Sequence, residues 1–174
     1  FSSIDQAGRY AFMNQPDMVQ WNLTQLAQCL LPLIDERTDS AVAIAKDIIS
    51  SFPGIFAEDL GREFAHKLGL ACEPREALRI AFELLELMSD YRADFTLTFR
   101  YLANAVPGDE AAGLFMQQFE QPAAVRDWLS QWRSRVTQDN QSLVTTQQKL
   151  LATNPAVIAR NHLVEEAIRS AEDH

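Results

Sequence analysis

The protein has 174 residues, of which 47% are hydrophobic and 22% are charged, and its net charge is −9. A chain of this length buries roughly 70% of the surface that its unfolded form exposes, so a globular core is expected and disorder is excluded. The negative charge argues against a nucleic-acid-binding protein, which needs a clustered basic face, and against binding to an anionic membrane surface.

The N-terminal half is predicted to form four helices after an extended segment at residues 1–16. Apolar residues recur at helical spacing from Asp17 to Leu33, and Pro32 should help to end this first helix. The next three helices are predicted from a cap at Asp39 or Ser40 to Pro53-Gly54, from Ile55 to Leu68 with Gly69 as its stop, and from Pro74 onward.

The C-terminal half is predicted to be helical as well. Asp90 or Asp94 caps a helix that contains Phe99 and ends at Pro107-Gly108. The remaining helices are predicted over Asp109–Phe119, from Pro122 to Val136, over Leu143–Leu151 and from Asn154-Pro155 onward. No alternating pattern typical of a strand has a useful length, so the sequence predicts an all-α fold, an irregular array of eight or nine helices.

The two cysteines and the apolar runs bear on the compartment. Cys29 lies in a mostly apolar run, where a buried thiol is expected, and Cys72 lies near a helix break. The two thiols lack metal-ligand spacing, and we expect a reducing, cytoplasmic location. No uninterrupted apolar run approaches the ~18 residues that a membrane helix requires, so no membrane contact is expected.

Motifs for metal binding and catalysis are incomplete or missing. Glu63-Phe64-Ala65-His66 supplies one half of a di-iron motif, but alanines stand three positions before His162 and His174, so the second half is missing. The sequence contains no P-loop, no G-x-G-x-x-G, no G-x-S-x-G and no D-F-G-like or H-R-D-like string. We therefore predict no catalytic residue, no cofactor-binding residue and no metal ligand in this chain.

Two tryptophans and two arginines lie close together in the sequence. Trp128 and Trp132, with Arg133 and Arg135, are compatible with an aromatic and basic patch for a ligand. Tryptophans four residues apart on a helix are more often core anchors, and we favour that interpretation.

One short stretch near the N-terminus is unusual for helical sequence. A turn-forming Gly8 and a helix-starting Pro16 enclose polar residues that need hydrogen-bond partners. This stretch and two later ones resemble the selenoprotein O family. The stretches are Gly8–Ile34, Ala93–Arg100, and Asn154-Pro155 with Ala159–Leu163 and Ala167-Ile168. The family-motif positions are Gly8, Arg9, Tyr10, Asn14, Gln15, Pro16, Trp21, Asn22, Asp94, Arg100, Asn154, Pro155, Arg160 and Asn161.

The resemblance implies a protein adenylyltransferase on a kinase-like scaffold, which uses ATP and Mg or Mn to transfer AMP to Ser, Thr or Tyr hydroxyls of proteins. It implies that residues 1–16 are an extended loop after the catalytic segment. Residues 17–174 would form a single helical domain that resembles the C-terminal helical portion of a kinase-like fold. The nucleotide- and metal-binding residues would precede Phe1, so ATP and metal belong to the parent protein and none is expected on this chain.

The signature around Arg9 has two candidate roles. In the role that we favour, Arg9 and Asn14 anchor the loop to the helical part, and Trp21 fills a core position. The alternative is direct contact between Arg9 and a ligand. Tyrosine is usual where Phe12 stands, and neither Cys29 nor Cys72 matches the family's redox-active cysteine or selenocysteine near the C-terminus.

Two functions follow for the chain. The first is the C-terminal helical portion of an adenylyltransferase, inactive alone, with the missing N-terminal catalytic portion and the protein substrates as its partners. Such a portion exposes an apolar face, so we expect self-association of the isolated chain. The alternative is a freestanding all-α protein-interaction module without catalysis.

Overall fold

A computed structural model describes residues 7–139 and 141–172 of the chain. Across these residues all regular structure is helical, with eight α-helices, three 3₁₀ segments and no β-strand. The all-α fold class predicted from the sequence is confirmed. The α-helices are α1 (Gln15–Ile34), α2 (Thr38–Leu68), α3 (Pro74–Asp90), α4 (Phe95–Ala105), α5 (Gly113–Met116), α6 (Arg126–Gln138), α7 (Leu143–Thr153) and α8 (Asn161–Glu172).

The chain divides into two compact units, Phe1–Ala57 and Glu58–His174, which we call the N-terminal and C-terminal units. The N-terminal unit contains α1 and the first part of α2, and the C-terminal unit contains the end of α2 and the later helices. The assignment of 17–174 to a single helical domain after an extended loop stays a prediction.

Helix α1 begins and ends close to the predicted positions. Pro16 lies in its first turn, where the missing N–H is not needed, and Pro32 lies in its last turn. No residue of α1 is buried. The prediction that Cys29 is buried is wrong: its thiol is exposed, because the neighbouring Leu26 and Leu30 are themselves exposed rather than packed into a core.

Helix α2 runs without interruption through Pro53 and Gly54, so the predicted break into two helices is wrong. A proline inside a helix removes one main-chain hydrogen bond at a cost of about 3 kcal/mol. Just before the proline, the hydroxyls of Ser50 and Ser51 donate to the carbonyl oxygens of Asp47 and Ile48, each at 2.7 Å. Both bonds reach carbonyls that precede that of Ile49, which is the acceptor that loses its i+4 donor at Pro53.

The same helix bears on the expectation about membranes. Within the described residues, α2 is the one helix long and apolar enough to cross a membrane by length and composition, with a mean hydropathy of 1.3 over 18 residues. Only 11% of that 18-residue stretch is buried. Lys46 and Asp47 lie within α2, and each charge at the centre of a bilayer costs about 3 kcal/mol.

The end of α2 follows its sequence signals. Gly69 has a φ of 67°, which favours glycine, and it directly follows the last residue of the helix. The N–H of Leu70 donates to the carbonyl of Ala65 at 2.9 Å, the long bond that closes a Schellman motif. The predicted stop at Gly69 is confirmed.

The core lies in the C-terminal unit, and the two tryptophans of α6 are part of it. Trp128 and Trp132 are 5% and 1% exposed, which confirms their prediction as core anchors. Their indole N–H groups donate to the carbonyl oxygens of Ile80 at 3.0 Å and Leu68 at 2.9 Å. Large side chains buried with them include Phe64, Leu84, Phe99, Leu102, Phe115 and Leu150.

The arginines near these tryptophans bind within the protein. The Nε atom of Arg133 donates to the carbonyl of Ala105 at 2.7 Å, and that of Arg135 donates to Glu76 of α3 at 2.8 Å. Arg135 also pairs with Asp139. The four residues that were also compatible with a ligand patch therefore hold α6 against the core and its neighbours.

Three helices of the second half are shorter or begin later than predicted. Asp109–Phe119 contains only a 3₁₀ turn and the four-residue α5, and Pro122 begins a 3₁₀ turn that leads into α6. The last helix begins at Asn161 rather than at Asn154-Pro155. Asn154 has an extended conformation, with ψ at 114°, as a residue before proline usually does. Its side chain donates to the carbonyl of Lys67 in α2 instead of capping a helix that would start at Pro155.

Two glycines of α2 provide a matched test of this packing. A Cβ on Gly61 would lie 2.5 Å from the carbonyl oxygen of Pro74, whereas a Cβ on Gly54 meets nothing within 4 Å. We expect Gly61→Ala to lower the free energy of unfolding by about 1–3 kcal/mol, because backbone must move. Gly54→Ala should raise it by about 0.5–1 kcal/mol, through the helix propensity of alanine. Urea unfolding followed by circular dichroism measures both, and equal effects would contradict the close approach of α3.

Candidate functional site

The family-motif residues form two groups, one in each unit. In the N-terminal unit, Gly8 has a φ of 66° and its carbonyl accepts two hydrogen bonds. The donors are the N–H of Ala11 at 2.9 Å and Nδ2 of Asn14 at 2.8 Å. Asn14 therefore closes a tight turn that leads through a 3₁₀ segment at Phe12–Asn14 directly into α1.

Arg9 lies along the start of α1. Its guanidinium carbon is 5.0 Å from the ring centre of Trp21 and 5.8 Å from that of Tyr10, distances typical of cation–π contacts. Its Nε donates to the sulfur of Met18 at 2.9 Å. Trp21 is 49% exposed, so the expectation that it fills a core position is wrong: one face of its ring carries Arg9 instead.

Three further motif residues of this unit have simpler positions. Gln15 is the first residue of α1, and Pro16 follows it in the first turn. Asn22 lies one position after Trp21 and is exposed. In this group the structure brings together Gly8, Arg9, Tyr10, Asn14 and Trp21.

In the C-terminal unit, Lys67 and four motif residues link the ends of several helices, and we call this group the asparagine junction: Lys67, Asp94, Arg100, Asn154 and Arg160. Asn154 is fully buried. Its Nδ2 donates to the carbonyl oxygen of Lys67, and its Oδ1 accepts from Nζ of Lys67, both at 2.9 Å. The side-chain amide of Asn154 thus joins the end of α7 to the last turn of α2.

Arg100 of α4 closes the end of α7. Its Nη1 donates to the carbonyl oxygens of Leu151 at 2.7 Å and of Asn154 at 2.9 Å. Carbonyl groups in the last turn of a helix lack partners within the helix, and a cation there also interacts favourably with the helix dipole. Arg100 therefore satisfies the end of α7 from a neighbouring helix.

Asp94 links the start of α4 to the start of α8. One carboxylate oxygen accepts the N–H of Leu97 at 2.9 Å as an N-cap, and the other accepts from Arg160 at 2.6 Å. Burial alone raises the pKa of Asp94, but the Leu97 N–H and the Arg160 guanidinium outweigh it and hold that pKa below its ordinary value. Of the two candidate caps, Asp94 is confirmed. Two motif residues remain. Pro155 directly follows Asn154, and Asn161 directly follows Arg160 and is the first residue of α8.

Sequence reasoning did not identify Lys67. Its Nζ lies 4.8 Å from the ring centre of Phe99 and 5.5 Å from that of Phe95. Burial lowers the pKa of Lys67, while the nearby Glu63 acts in the opposite direction. The signal that was present is its position in the last turn of α2, where a basic residue is favoured.

The contacts described for both groups run within the chain. Their donors and acceptors bond to main-chain carbonyls, to one another and to aromatic rings. Among the residues that the structure describes, no group of three or more His, Cys, Asp or Glu side chains is arranged to hold a metal ion. Glu63 and His66, the half-motif found in the sequence, are both exposed.

The chain is similar to proteins that are named as nucleotidyltransferases. The chain is 45% identical over 174 residues to the "Protein nucleotidyltransferase YdiU" of Rhizobium johnstonii, and 44% identical over 173 residues to that of Rhodopseudomonas palustris strain BisB5. It is also 44% identical over 171 residues to the protein of the same name from Bradyrhizobium diazoefficiens. These matches cover 98–100% of this chain but only 35% of each relative.

The family is shown by a second comparison. A family model described as "Protein adenylyltransferase SelO" matches residues 2–174. The chain belongs to the SelO family, as the resemblance in the sequence predicts, and it spans about a third of the length of the curated relatives that it matches.

The asparagine junction generates a stability prediction. Asn154→Ala removes both hydrogen bonds to Lys67 and leaves a buried carbonyl without its donor. We expect the free energy of unfolding to fall by about 2 kcal/mol. Gln148→Ala, at an exposed position of α7, is the control and should change it by less than about 0.5 kcal/mol. Chemical denaturation measures both, and similar values for the two variants would show that the buried amide is dispensable.

The ion pair at Asp94 generates a pH prediction. Because the pKa of Asp94 is lowered in the folded protein, its charge contributes stability above the ordinary aspartate pKa of about 3.9. That contribution is lost as the pH falls through the folded-state pKa. Asn caps a helix as well as Asp does, so Asp94→Asn removes the charge and keeps the cap. Because the pair is partly exposed, we expect a loss of up to about 1 kcal/mol at pH 7.

The difference between native chain and Asp94→Asn should shrink toward zero below the folded-state pKa. Urea unfolding of both proteins between pH 7 and pH 3 measures it. Asp90→Asn, at an exposed aspartate of α3, is the control and should show no comparable loss at pH 7. A difference for Asp94→Asn that is independent of pH would contradict a role for its charge.

Proposed function

We propose that the chain is the C-terminal helical portion of a protein adenylyltransferase that transfers AMP from ATP to Ser, Thr or Tyr hydroxyls of proteins. The observation that carries the proposal is the match of residues 2–174 to the family described as a protein adenylyltransferase. It is supported by relatives named as nucleotidyltransferases, of which the chain covers 35%.

In this proposal the chemistry belongs to the parts of the parent protein outside these residues. Phosphoryl chemistry of the kinase type needs a lysine on the phosphates and carboxylates on the metal. The described residues offer no suitable cluster of metal ligands, and the sequence contains no phosphate-binding motif. The part of the chain that the structure describes therefore offers no fit for ATP or its Mg or Mn ion, and the proposal assigns both cofactors to the rest of the parent protein.

The two groups of motif residues act as anchors. Arg9 and Asn14 hold the segment that leads into α1, and the asparagine junction holds the ends of α2 and α7 and the starts of α4 and α8. This role is favoured because the hydrogen bonds given above run within the chain. The anchors position the helical portion without contact to the nucleotide.

The partners are then the N-terminal catalytic portion and the protein substrates, with no nucleic acid and no membrane, in the cytoplasm. A second function, a freestanding interaction module, is favoured by one observation. Large apolar side chains of α1 and α8 are exposed, among them Leu33 at 83% and Ile168 at 52%. The two functions differ in whether the native polypeptide is much heavier than this chain.

Nucleotide binding tests the proposed division. Titration calorimetry of the isolated chain with ATP and Mg or Mn should show no saturable heat, whereas the parent protein should bind under the same conditions. Saturable binding of ATP by the isolated chain would contradict the proposal.

The mass of the native protein separates the two functions. Immunoblotting of source cells, followed by mass spectrometry of the captured band, should find a product well above 19.6 kDa. A product near that mass would favour the freestanding module.

A further inference from the structure

Helix α1 carries an apolar stripe that is exposed at four of its five positions and half-buried at Leu23. Its members recur at alternating steps of four and three residues, and we call them the α1 seam: Val19, Leu23, Leu26, Leu30 and Leu33. Leu26 is 54% exposed and Leu33 is 83% exposed. This spacing is that of the line along which one helix packs lengthwise on another, so the seam is shaped for a helix.

The seam is not the side that α1 turns toward α2. Between the two helices lies a mostly apolar groove of about 530 Å³, lined by Thr24, Ala27, Gln28 and Leu31 of α1 and by Val42, Ala45, Lys46, Ile49 and Ser50 of α2. None of the seam residues belongs to that lining. Helix α1 therefore has apolar residues on two sides, and only one of them faces α2.

The charge pattern indicates that α1 lies in the interior of a larger structure. No charged residue stands between Asp17 and Asp35, although soluble surfaces are about 25–35% charged. Helix α2 also exposes large apolar side chains, with Ile44, Ile48 and Ile55 exposed at 42%, 61% and 58%, although it carries charged residues. Helices that are apolar on more than one side are usually buried.

We propose that the α1 seam is covered by an α-helix from the part of the parent polypeptide that lies outside these 174 residues. The proposal rests on the proposed function, which makes the chain one part of a longer enzyme. The length is sufficient, because the matched relatives extend well beyond the 35% that the chain covers. A helix of the same polypeptide is present at high effective concentration and therefore needs only a short seam.

A second copy of the chain fits the seam less well. The seam is about 20 Å long, at 1.5 Å per residue. That is two heptads, whereas a coiled coil usually needs at least three or four. A stable interface between separate proteins buries about 800 Å² on each partner, more than five side chains of this size supply.

Cys29 is a native reporter of this contact. Its exposed thiol lies one residue before Leu30 and one helical turn from Leu26 and Leu33. Maleimide labelling, read by mass spectrometry of the peptide that contains Cys29, is compared between the isolated chain and the parent protein. We expect labelling in the parent to be at least about tenfold slower, because the covering helix must open first.

Two substitutions separate the seam from the rest of α1. In the parent, Leu30→Gln should restore fast labelling of Cys29, whereas Gln25→Ala, at an exposed polar position of the same helix, should not. In the isolated chain, Leu30→Gln should leave the melting temperature unchanged, because Leu30 is already 40% exposed there. A fall in the melting temperature of the isolated chain would place the partner within the chain and overturn the proposal.

The remaining outcomes distinguish the occupants. Equal labelling rates in a parent protein that still transfers AMP would overturn the proposal and leave the proposed function intact. Protection that disappears on dilution, together with a dimer in sedimentation, would assign the seam to a second copy instead. A native polypeptide no longer than this chain would remove both the proposed function and the covering helix.

Discussion

The C-terminal unit depends on one buried amide. Asn154 has no exposed surface, and a polar group in that position is tolerated only if its donor and acceptor are satisfied. Both are satisfied by the same residue, Lys67, through its main-chain carbonyl and its ammonium group. This pairing fixes where α7 ends relative to α2, and it places the lysine over the rings of Phe95 and Phe99.

Local signals were sufficient for several helix ends. Pro74 begins α3, Asp94 caps α4 and Gly69 ends α2, because each effect involves only residues within one turn. Two other helix boundaries predicted from the sequence were wrong, because local signals did not decide them. Pro53 does not break α2. Asn154-Pro155 does not begin α8, because the Asn154 side chain bonds to Lys67 of α2, 87 positions away, instead of capping a helix.

The candidate site was predictable as a set of residues and not as a set of contacts. The family resemblance pointed to Asp94, Arg100, Asn154 and Arg160, but one sequence cannot show that Asp94 meets Arg160 across 66 positions. Lys67 was missed because a lysine near a helix end is ordinary, and its burial arises only when α4 and α7 pack around it. For Trp21 the residue type suggested a core position, whereas the structure uses its ring to carry Arg9.

The distribution of tryptophans gives each unit its own optical signal. The chain has three tryptophans, one in the N-terminal unit and two in the C-terminal unit. Trp21 is half exposed beside a guanidinium, whereas Trp128 and Trp132 are buried with their rings nearly parallel, at 7°. Emission from Trp21 should be red-shifted and quenched by iodide, and emission from the buried pair should be blue-shifted and protected. The unfolding of each unit can therefore be followed separately by the intrinsic fluorescence of the unmodified protein.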